Sequence, residues 1–142
     1  MSLFDSLNVS ASGMSAQRTR AELLVENLAN AETTRSPEGG PYRRKDAVFS
    51  SAPVNSAFSS MFQSQLGTGV EVTDITIDQR DPEKRYMPGH PDADSNGYVA
   101  FPRMSPAEDM VDLLTASRGY EANVSAISAV KDMINRSIDI LR

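Results

Sequence analysis

The chain has 142 residues, of which 39% are hydrophobic and 6% aromatic, with no tryptophan and no cysteine. The formal net charge of −5, carried by interspersed signs, excludes a nucleic-acid binder with a basic face, and the lack of cysteine excludes disulfides and thiolate metal sites. No apolar run approaches the roughly 20 residues that span a bilayer, which excludes a transmembrane protein.

The first predicted element is an amphipathic helix over residues 3–31. Ser2 is placed to cap it, with Asp5 at the third helical position. The same N-terminal stretch lacks the basic region and apolar core of a cleaved secretory signal. Spacings that alternate between four and three residues form a heptad seam, which Arg18 interrupts once. The seam consists of Leu7, Ala11, Met14, Arg18, Ala21, Val25 and Leu28.

A long, punctuated segment follows this helix, where a tight turn would bring the chain straight back. It is NLANAETTRSPEGGPYRRKDAVF, residues 27–49. The side chains of Asn27 and Asn30 are expected to end the helix through hydrogen bonds to the backbone. The prolines and glycines of SPEGGP are then expected to turn the chain outward.

Three consecutive cations, Arg43, Arg44 and Lys45, stand near the end of this segment, directly after Tyr42. Three charges are fewer than the polybasic clusters that bind membranes contain. Two interpretations stay open: the cations belong to a solvated loop, or they meet acidic surfaces on an adjacent subunit. We favour a contact role for the segment as a whole.

The middle of the chain predicts a small β element. Residues 50–65 are rich in serine and alanine without firm periodicity, and they are interpreted as a flexible or weakly helical loop. Residues 69–78 are rich in β-branched side chains, and shorter strands are predicted at 84–87 and 97–101. Strands so few and so short need helices or a neighbouring subunit for stability.

The stretch 69–78 changes its alternation part-way along. Val70 and Val72 alternate with polar residues, whereas Ile75 and Ile77 follow in the opposite phase. Because a strand presents every second side chain to one face, this pattern predicts either one strand or two.

The only histidine, His90, stands in the turn-rich stretch PGHPDADSNG, residues 88–97. With Asp92 and Asp94 it has the side chains of a metal site, but the surrounding prolines and glycine do not hold several ligands in a fixed geometry. A calcium loop is excluded because its twelfth position, counted from Asp92, is Arg103. We predict a loop-shaping role and no metal or cofactor.

No arrangement of residues predicts catalysis. One histidine in a turn does not suit a hydrolase triad, and phosphate-binding glycine-rich loops are absent. A peptidoglycan-cleaving enzyme with two carboxylates is kept as an alternative, although no Asp or Glu stands in a stretch that suggests a buried acid.

The last predicted element is a longer helix over residues 106–141. Ser105 is its N-cap, Pro106 its first helical residue and Glu108 the third. At about 1.5 Å per residue the helix is on the order of 50 Å long, too long for one short globule to cover. Its heptad seam consists of Met110, Leu113, Ser117, Tyr120, Val124, Ile127, Lys131, Ile134, Ile138 and Leu141.

A second apolar track lies beside this seam, namely Ala122, Ala126, Ala129, Val130, Met133 and Ile140. A two-stranded coiled coil needs only one seam, so the wide apolar arc predicts more than one neighbour. An intrachain bundle is the other interpretation, but the chain has only one other long helix. We therefore favour intermolecular neighbours, with Ile127, Ile134 and Ile138 supplying the main packing of the seam.

Three separated stretches resemble the bacterial flagellar rod and hook axial protein family, and most closely its proximal rod members. They are the segment 27–49, YMPGHPDADSNGYVAFP at 86–102 and MVDLLTASRGYEANVSAISAVKDM at 110–133. The positions that match the family's signatures are Asn27, Ala29, Asn30, Thr34, Gly40 and Tyr42, and then Ser117, Arg118, Tyr120, Glu121, Ala122 and Asn123. Glu32 departs from the pattern, and residues 50–68 resemble nothing known to us.

This resemblance implies a structural subunit of the flagellar basal-body rod, the shaft that crosses the periplasm and transmits torque. It implies export through the flagellar type III apparatus without a cleaved signal, and assembly of the terminal helices into a helical tube. The implied partners are further copies of the chain and rod proteins of the FlgB, FlgF, FlgG and FliE types. A soluble coiled-coil adaptor or secreted effector is the alternative, but it explains the heptads and not the long segment.

The predicted fold is mainly α with a small β element, with long N- and C-terminal helices paired as a coiled coil. Its parts are a core helix at 1–32, an extended loop or linker at 33–68, a small β-rich middle domain at 69–104 and a core helix at 105–142. The predicted assembly interface consists of Leu7, Met14, Leu28, Asn30, Tyr42, Arg43, Arg44, Leu113, Tyr120, Val124, Ile127, Ile134, Ile138 and Leu141.

Overall fold

The computed structural model describes residues 3–37, 39–53 and 68–140, so Ser2, Leu141 and most of the predicted loop at 50–65 lie outside it. Two long terminal helices enclose a small β region in sequence, which confirms the predicted fold class. The elements are α1 (Leu3–Ala29), β1 (Lys45–Pro53), β2 (Thr68–Ile77), β3 (Glu83–Tyr86), β4 (Tyr98–Phe101) and α2 (Pro106–Ile140).

The two helices pack antiparallel. Gly13 of α1 lies against Asn123, and Gly119 of α2 lies against Gln17. A Cβ added to Gly13 would stand 3.0 Å from the Asn123 side chain, and one added to Gly119 would stand 3.2 Å from Gln17. Each glycine thus lets a side chain of the other helix pack on bare backbone. This close approach accounts for a glycine in mid-helix, where it is less favourable than alanine by about 1 kcal/mol.

The buried face of α1 is displaced from the predicted seam. Its buried residues are Ala16, Leu23, Leu24 and Asn27, whereas Val25 of the seam is 52% exposed. At about 100° per residue, the mean direction of these four buried side chains lies roughly 150° from that of the seam, on the other side of the helix. Arg18, the charged residue that interrupts the predicted seam, is therefore exposed to solvent, where it pairs with Glu22 at 2.9 Å. The seam read from the sequence is not the face that α1 buries within the chain.

α2 buries only Asp109, Ala116 and Val130. The predicted seam has Ser117 and Lys131 one residue further along, and both are exposed. Much of the apolar surface of α2 therefore remains in contact with solvent. Its exposed large apolar side chains are Met110, Val111, Leu114, Tyr120, Val124, Met133, Ile138 and Ile140.

β1 and β2 form an antiparallel ribbon that packs on α1. Ser12 of α1 accepts a hydrogen bond at 3.1 Å from the backbone N–H of Val70 in β2. α1 is thus the element on which both α2 and the ribbon pack. β3 and β4 pair separately as a second antiparallel ribbon, which confirms the two short strands predicted there.

A β-bulge explains the change of phase in β2. The register shifts between Val48 and Phe49 of β1, so that Thr73 of β2 has no opposite residue in β1. One inserted residue reverses the alternation of side chains, so the two apolar pairs that looked out of phase share one face of a single strand. They are Val70, Val72, Ile75 and Ile77.

The strand β1 was not predicted. Residues 50–53 belong to β1 and pair along β2, so their interpretation as a loop is wrong. Their serine- and alanine-rich composition has low strand propensity, and the pairing with β2 supplies the order that local sequence does not. β2, by contrast, was predicted from its β-branched residues. β1 depends on β2 as its partner strand.

Candidate assembly surface

The exit of the chain from α1 is organised by Asn27, whose side chain is fully buried. Its Nδ2 donates to the carbonyl of Lys45 at 2.9 Å, and its Oδ1 accepts from the Lys45 backbone N–H at 3.0 Å. The same Oδ1 accepts from the hydroxyl of Tyr42 at 2.9 Å. One amide therefore satisfies both backbone groups of the residue that begins β1, as a neighbouring strand would, and fixes α1 to β1.

Asn30 closes the end of α1. Its Nδ2 donates to the carbonyl of Glu26 at 2.9 Å, and its Oδ1 accepts from the hydroxyl of Thr33 at 3.1 Å. The predicted role in ending the helix is confirmed for Asn30. Asn27 instead reaches forward to β1, a contact between residues 18 positions apart.

The segment after α1 folds back on itself. The N–H of Ser36 donates to the carbonyl of Gly40 at 2.7 Å, and the N–H of Tyr42 donates to that of Thr33 at 3.0 Å. Gly39 and Gly40 have φ values of 89° and 81°, in the left-handed region that glycine adopts without steric strain. The glycines and prolines thus return the chain to the end of α1.

Tyr42 is buried against this junction. Burial, with the nearby carboxylate of Glu26, raises the pKa of Tyr42 to about 12. Lys45 pairs with Glu26 at 2.6 Å, and its Nζ lies 5.7 Å from the centre of the Tyr42 ring. The predicted interface residue Tyr42 thus uses its ring and hydroxyl inside the subunit.

Arg44 ties the same segment to the start of α2. Its Nη2 lies 2.9 Å from Oδ1 of Asp109, a side chain only 1% exposed, and 3.3 and 3.7 Å from carboxylate oxygens of Asp46 and Asp112. Asp112 also pairs with Arg20 of α1 at 3.4 Å. Arg44 thus joins the segment, β1 and α2 at one point, and the acidic side chains that it meets belong to its own subunit.

Stability is expected to fall as the pH rises through the range in which Asp109 titrates. Burial raises the pKa of Asp109, and the charge of Arg44 opposes this only in part. The folded chain then binds a proton more tightly than the unfolded chain. This contribution is therefore full below the ordinary carboxyl pKa of about 4 and is lost as the pH rises through the higher pKa of folded Asp109. Urea unfolding at several pH values measures the slope, and Asp109→Asn is the control that should remove it. An unchanged slope in that variant would contradict the assignment.

Arg43 is the cation of the three that remains exposed. Its Nη1 donates to the carbonyl of Asp78 at 3.1 Å, and the carboxylate of Asp78 receives the guanidinium of Arg80. These side-chain and backbone hydrogen bonds from Arg80 lower the pKa of Asp78 to about 2. Arg43, Asp78 and Arg80 line a cleft, and Arg103 lines it as well.

The turn-rich stretch around His90 has a loop-shaping role, as predicted. Nδ1 of His90 accepts from the N–H of Asp92 at 3.1 Å, and Asp94 accepts two further backbone N–H bonds. Asp92 also receives the hydroxyl of Thr34 at 2.8 Å and pairs with Arg35, which joins this loop to the segment after α1. Within the ranges that the structure describes, no group of His, Asp or Glu is arranged to hold a metal ion.

The other predicted interface residues divide into two groups. The half-buried ones are Leu7, Met14, Leu28, Leu113, Ile127 and Ile134, and the exposed ones are Tyr120, Val124 and Ile138. The heptad pattern missed Val111 and Leu114, which are 63% and 62% exposed. Their only signal in the sequence is that they are large apolar side chains beside the seam.

Comparison with known proteins adds to this geometry. The family described as flagellar basal body rod FlgEFG protein C-terminal matches residues 95–140, which contain β4 and α2. The flagellar basal-body rod protein FlgC of Bacillus subtilis is 43% identical to the chain, covering 99% of the chain and 99% of its own length. The chain belongs to the FlgC family of flagellar basal-body rod proteins.

Further FlgC proteins give the same result. That of Borreliella burgdorferi is 38% identical over 100% of the chain and 99% of its own length, and that of Salmonella typhimurium is 36% identical over 99% and 98%. The chain is thus a structural subunit of the flagellar basal-body rod, and the resemblance noted in the sequence is confirmed. Neither helix, over the residues described, is long and apolar enough to cross a bilayer.

Proposed function

We propose that this FlgC-family subunit builds the proximal rod as a helical tube, and that it transmits torque through its two terminal helices. The observation that carries the proposal is the contrast within α2, which buries three residues and exposes eight large apolar ones. Apolar surface of this extent on one helix is stabilised when neighbouring subunits cover it. The soluble adaptor, which needs one seam for one partner helix, does not account for apolar side chains on both flanks of α2.

The partners are further copies of the chain and rod proteins of the FlgB, FlgF, FlgG and FliE types. Export proceeds through the flagellar type III apparatus without a cleaved signal, and the rod lies in the periplasm. Membership of a basal-body rod family supports these assignments. It also supports a purely structural role without catalysis, since the relatives are named as rod proteins.

Met133→Asp is expected to abolish swimming while the isolated subunit keeps its helical circular dichroism. Met133 is 49% exposed in the single subunit, so a carboxylate there stays hydrated until a neighbour covers it. Burial of an unpaired charge at a packed interface is strongly unfavourable. Swimming assays and immunoblots of purified basal bodies measure the effect.

Asn135→Asp is the matched control, because it adds the same charge two residues away at an exposed polar position. It is expected to swim. Normal swimming of the Met133→Asp strain would contradict the proposal. Ile134→Asp is less decisive, because Ile134 is half-buried within the subunit and its loss would combine misfolding with failed assembly.

A further inference from the structure

Four arginines converge on one cleft where the β1–β2 ribbon meets the segment after α1. Arg43, Arg44, Arg80 and Arg103 line it together with Asp78. Arg44 pairs with Asp109 and also lies near Asp46 and Asp112. The Asp78 carboxylate pairs with Arg80 and also experiences the charge of Arg103. Arg43 and Arg103 form no ion pair with any carboxylate in the part of the chain described, and both are exposed. We call Arg43 and Arg103 the arginine cleft, because they are the two cations there that have no ion-pair partner among the described residues.

Two exposed carboxylates, Glu71 and Asp74, lie on the same ribbon. Asp74 pairs with Val48 and Glu71 with Ser50 in the register, which places both carboxylates on the face opposite the apolar one. Both side chains are exposed, and among the described residues neither forms a salt bridge. The acidic strip, Glu71 and Asp74, thus has uncompensated charge of the opposite sign.

The strip and the cleft of one subunit do not meet. Asp78 lines the cleft directly after the end of β2, whereas Asp74 and Glu71 stand four and seven residues before it within β2. At roughly 3.3 Å per residue these separations are about 13 and 23 Å along the ribbon. A contact between the strip and the cleft therefore requires two molecules.

We propose that the acidic strip of one copy docks on the arginine cleft of a second copy of this chain. The contact joins two different surfaces, so it is heterologous and repeats from copy to copy, as a ring or helical assembly requires. Complementary charge of this kind fixes orientation and register more than it adds affinity, which the apolar helix faces supply. The inference rests on the proposed rod function and adds to it the surface by which copies recognise each other.

The absence of cysteine makes cross-linking a direct test. Basal bodies from cells that carry Asp74→Cys together with Arg103→Cys are treated with a short bismaleimide. The expected result is a ladder of dimers and higher multiples of this chain, and neither single-cysteine variant should give it. Basal bodies that contain the chain but yield no ladder would overturn the inference and leave the rod function intact. A cross-link to a different rod protein would also overturn it, because the partner would not be a second copy.

Charge reversal tests the proposed contact even if the double-cysteine chain fails to assemble. Asp74→Arg and Arg103→Asp are each expected to reduce the amount of this chain in purified basal bodies roughly tenfold, since about 1.4 kcal/mol changes an association constant tenfold. Together they should restore it to near the original amount. Single variants that assemble normally, or a double variant no better than either, would overturn the inference. If the unmodified chain were missing from basal bodies, the rod function itself would fail.

Discussion

Arg44→Met is expected to lower the free energy of unfolding by about 3–5 kcal/mol. The substitution keeps much of the side-chain volume but leaves the carboxylate of Asp109, 1% exposed, without its cation. Asp46 and Asp112 stand beside the same guanidinium, so its removal also leaves three carboxylates close together. Urea unfolding of the full chain, followed by circular dichroism, measures the loss.

Arg43→Met is the matched control, because it makes the same change one residue earlier at an exposed position. It is expected to change stability by less than about 0.5 kcal/mol. Arg44→Met combined with Asp109→Leu should recover most of the loss, since an apolar pair can replace a buried ion pair without a large change in stability. Equal stability of the Arg44 and Arg43 variants would show that the ion pair does not hold the segment to α2.

Asn27→Ala is expected to destabilise the fold by about 3 kcal/mol, the second large effect. The substitution removes three hydrogen bonds and leaves the buried hydroxyl of Tyr42 and both backbone groups of Lys45 without their partner. Each buried group left unsatisfied costs about 1–3 kcal/mol, and water reaches part of Lys45. Tyr42→Phe, which removes one of the three bonds, is expected to cost about 1 kcal/mol.

Asn30→Ala serves as the control for Asn27→Ala. It deletes the same amide three residues further along, where the bonds are local and the site is half-exposed, so a loss of about 1 kcal/mol is expected. Hydrogen exchange at the Lys45 amide provides a second measurement, because only the Asn27 variant should expose that N–H. If both variants unfold alike, Asn27 does not join α1 to β1.

The sequence was sufficient where order is encoded locally. The capping pattern at Ser105 to Glu108 placed the start of α2, and the β-branched run placed β2, including the change of phase that the bulge at Thr73 explains. The loop around His90 was predicted from turn chemistry. The residues that match the rod and hook family were recognisable in the same way.

The sequence was insufficient where order depends on distant residues. Heptad spacing selected one apolar stripe of α1, whereas the chain buries a stripe on the other side of the helix, with small and polar members such as Ala16 and Asn27. Periodicity shows that a face is apolar but not what covers it. β1 is ordered by a partner strand further along the chain, and Arg44 finds Asp109 across 65 positions, so neither has a local signal. The same reasoning explains why Tyr42 was assigned to a surface.

The distal end of α2 has a consequence for how a free subunit differs from an assembled one. Beyond Val130, the helix continues to Ile140 with no buried residue, and Ile140 is 85% exposed. Apart from the half-buried Ile134, the side chains of these turns are exposed, so we expect the ordering of this end to be coupled to association. We expect assembly to show a negative heat-capacity change and a gain in resistance to proteases at this end. A protease would therefore cleave unassembled subunits at this end and leave assembled subunits intact.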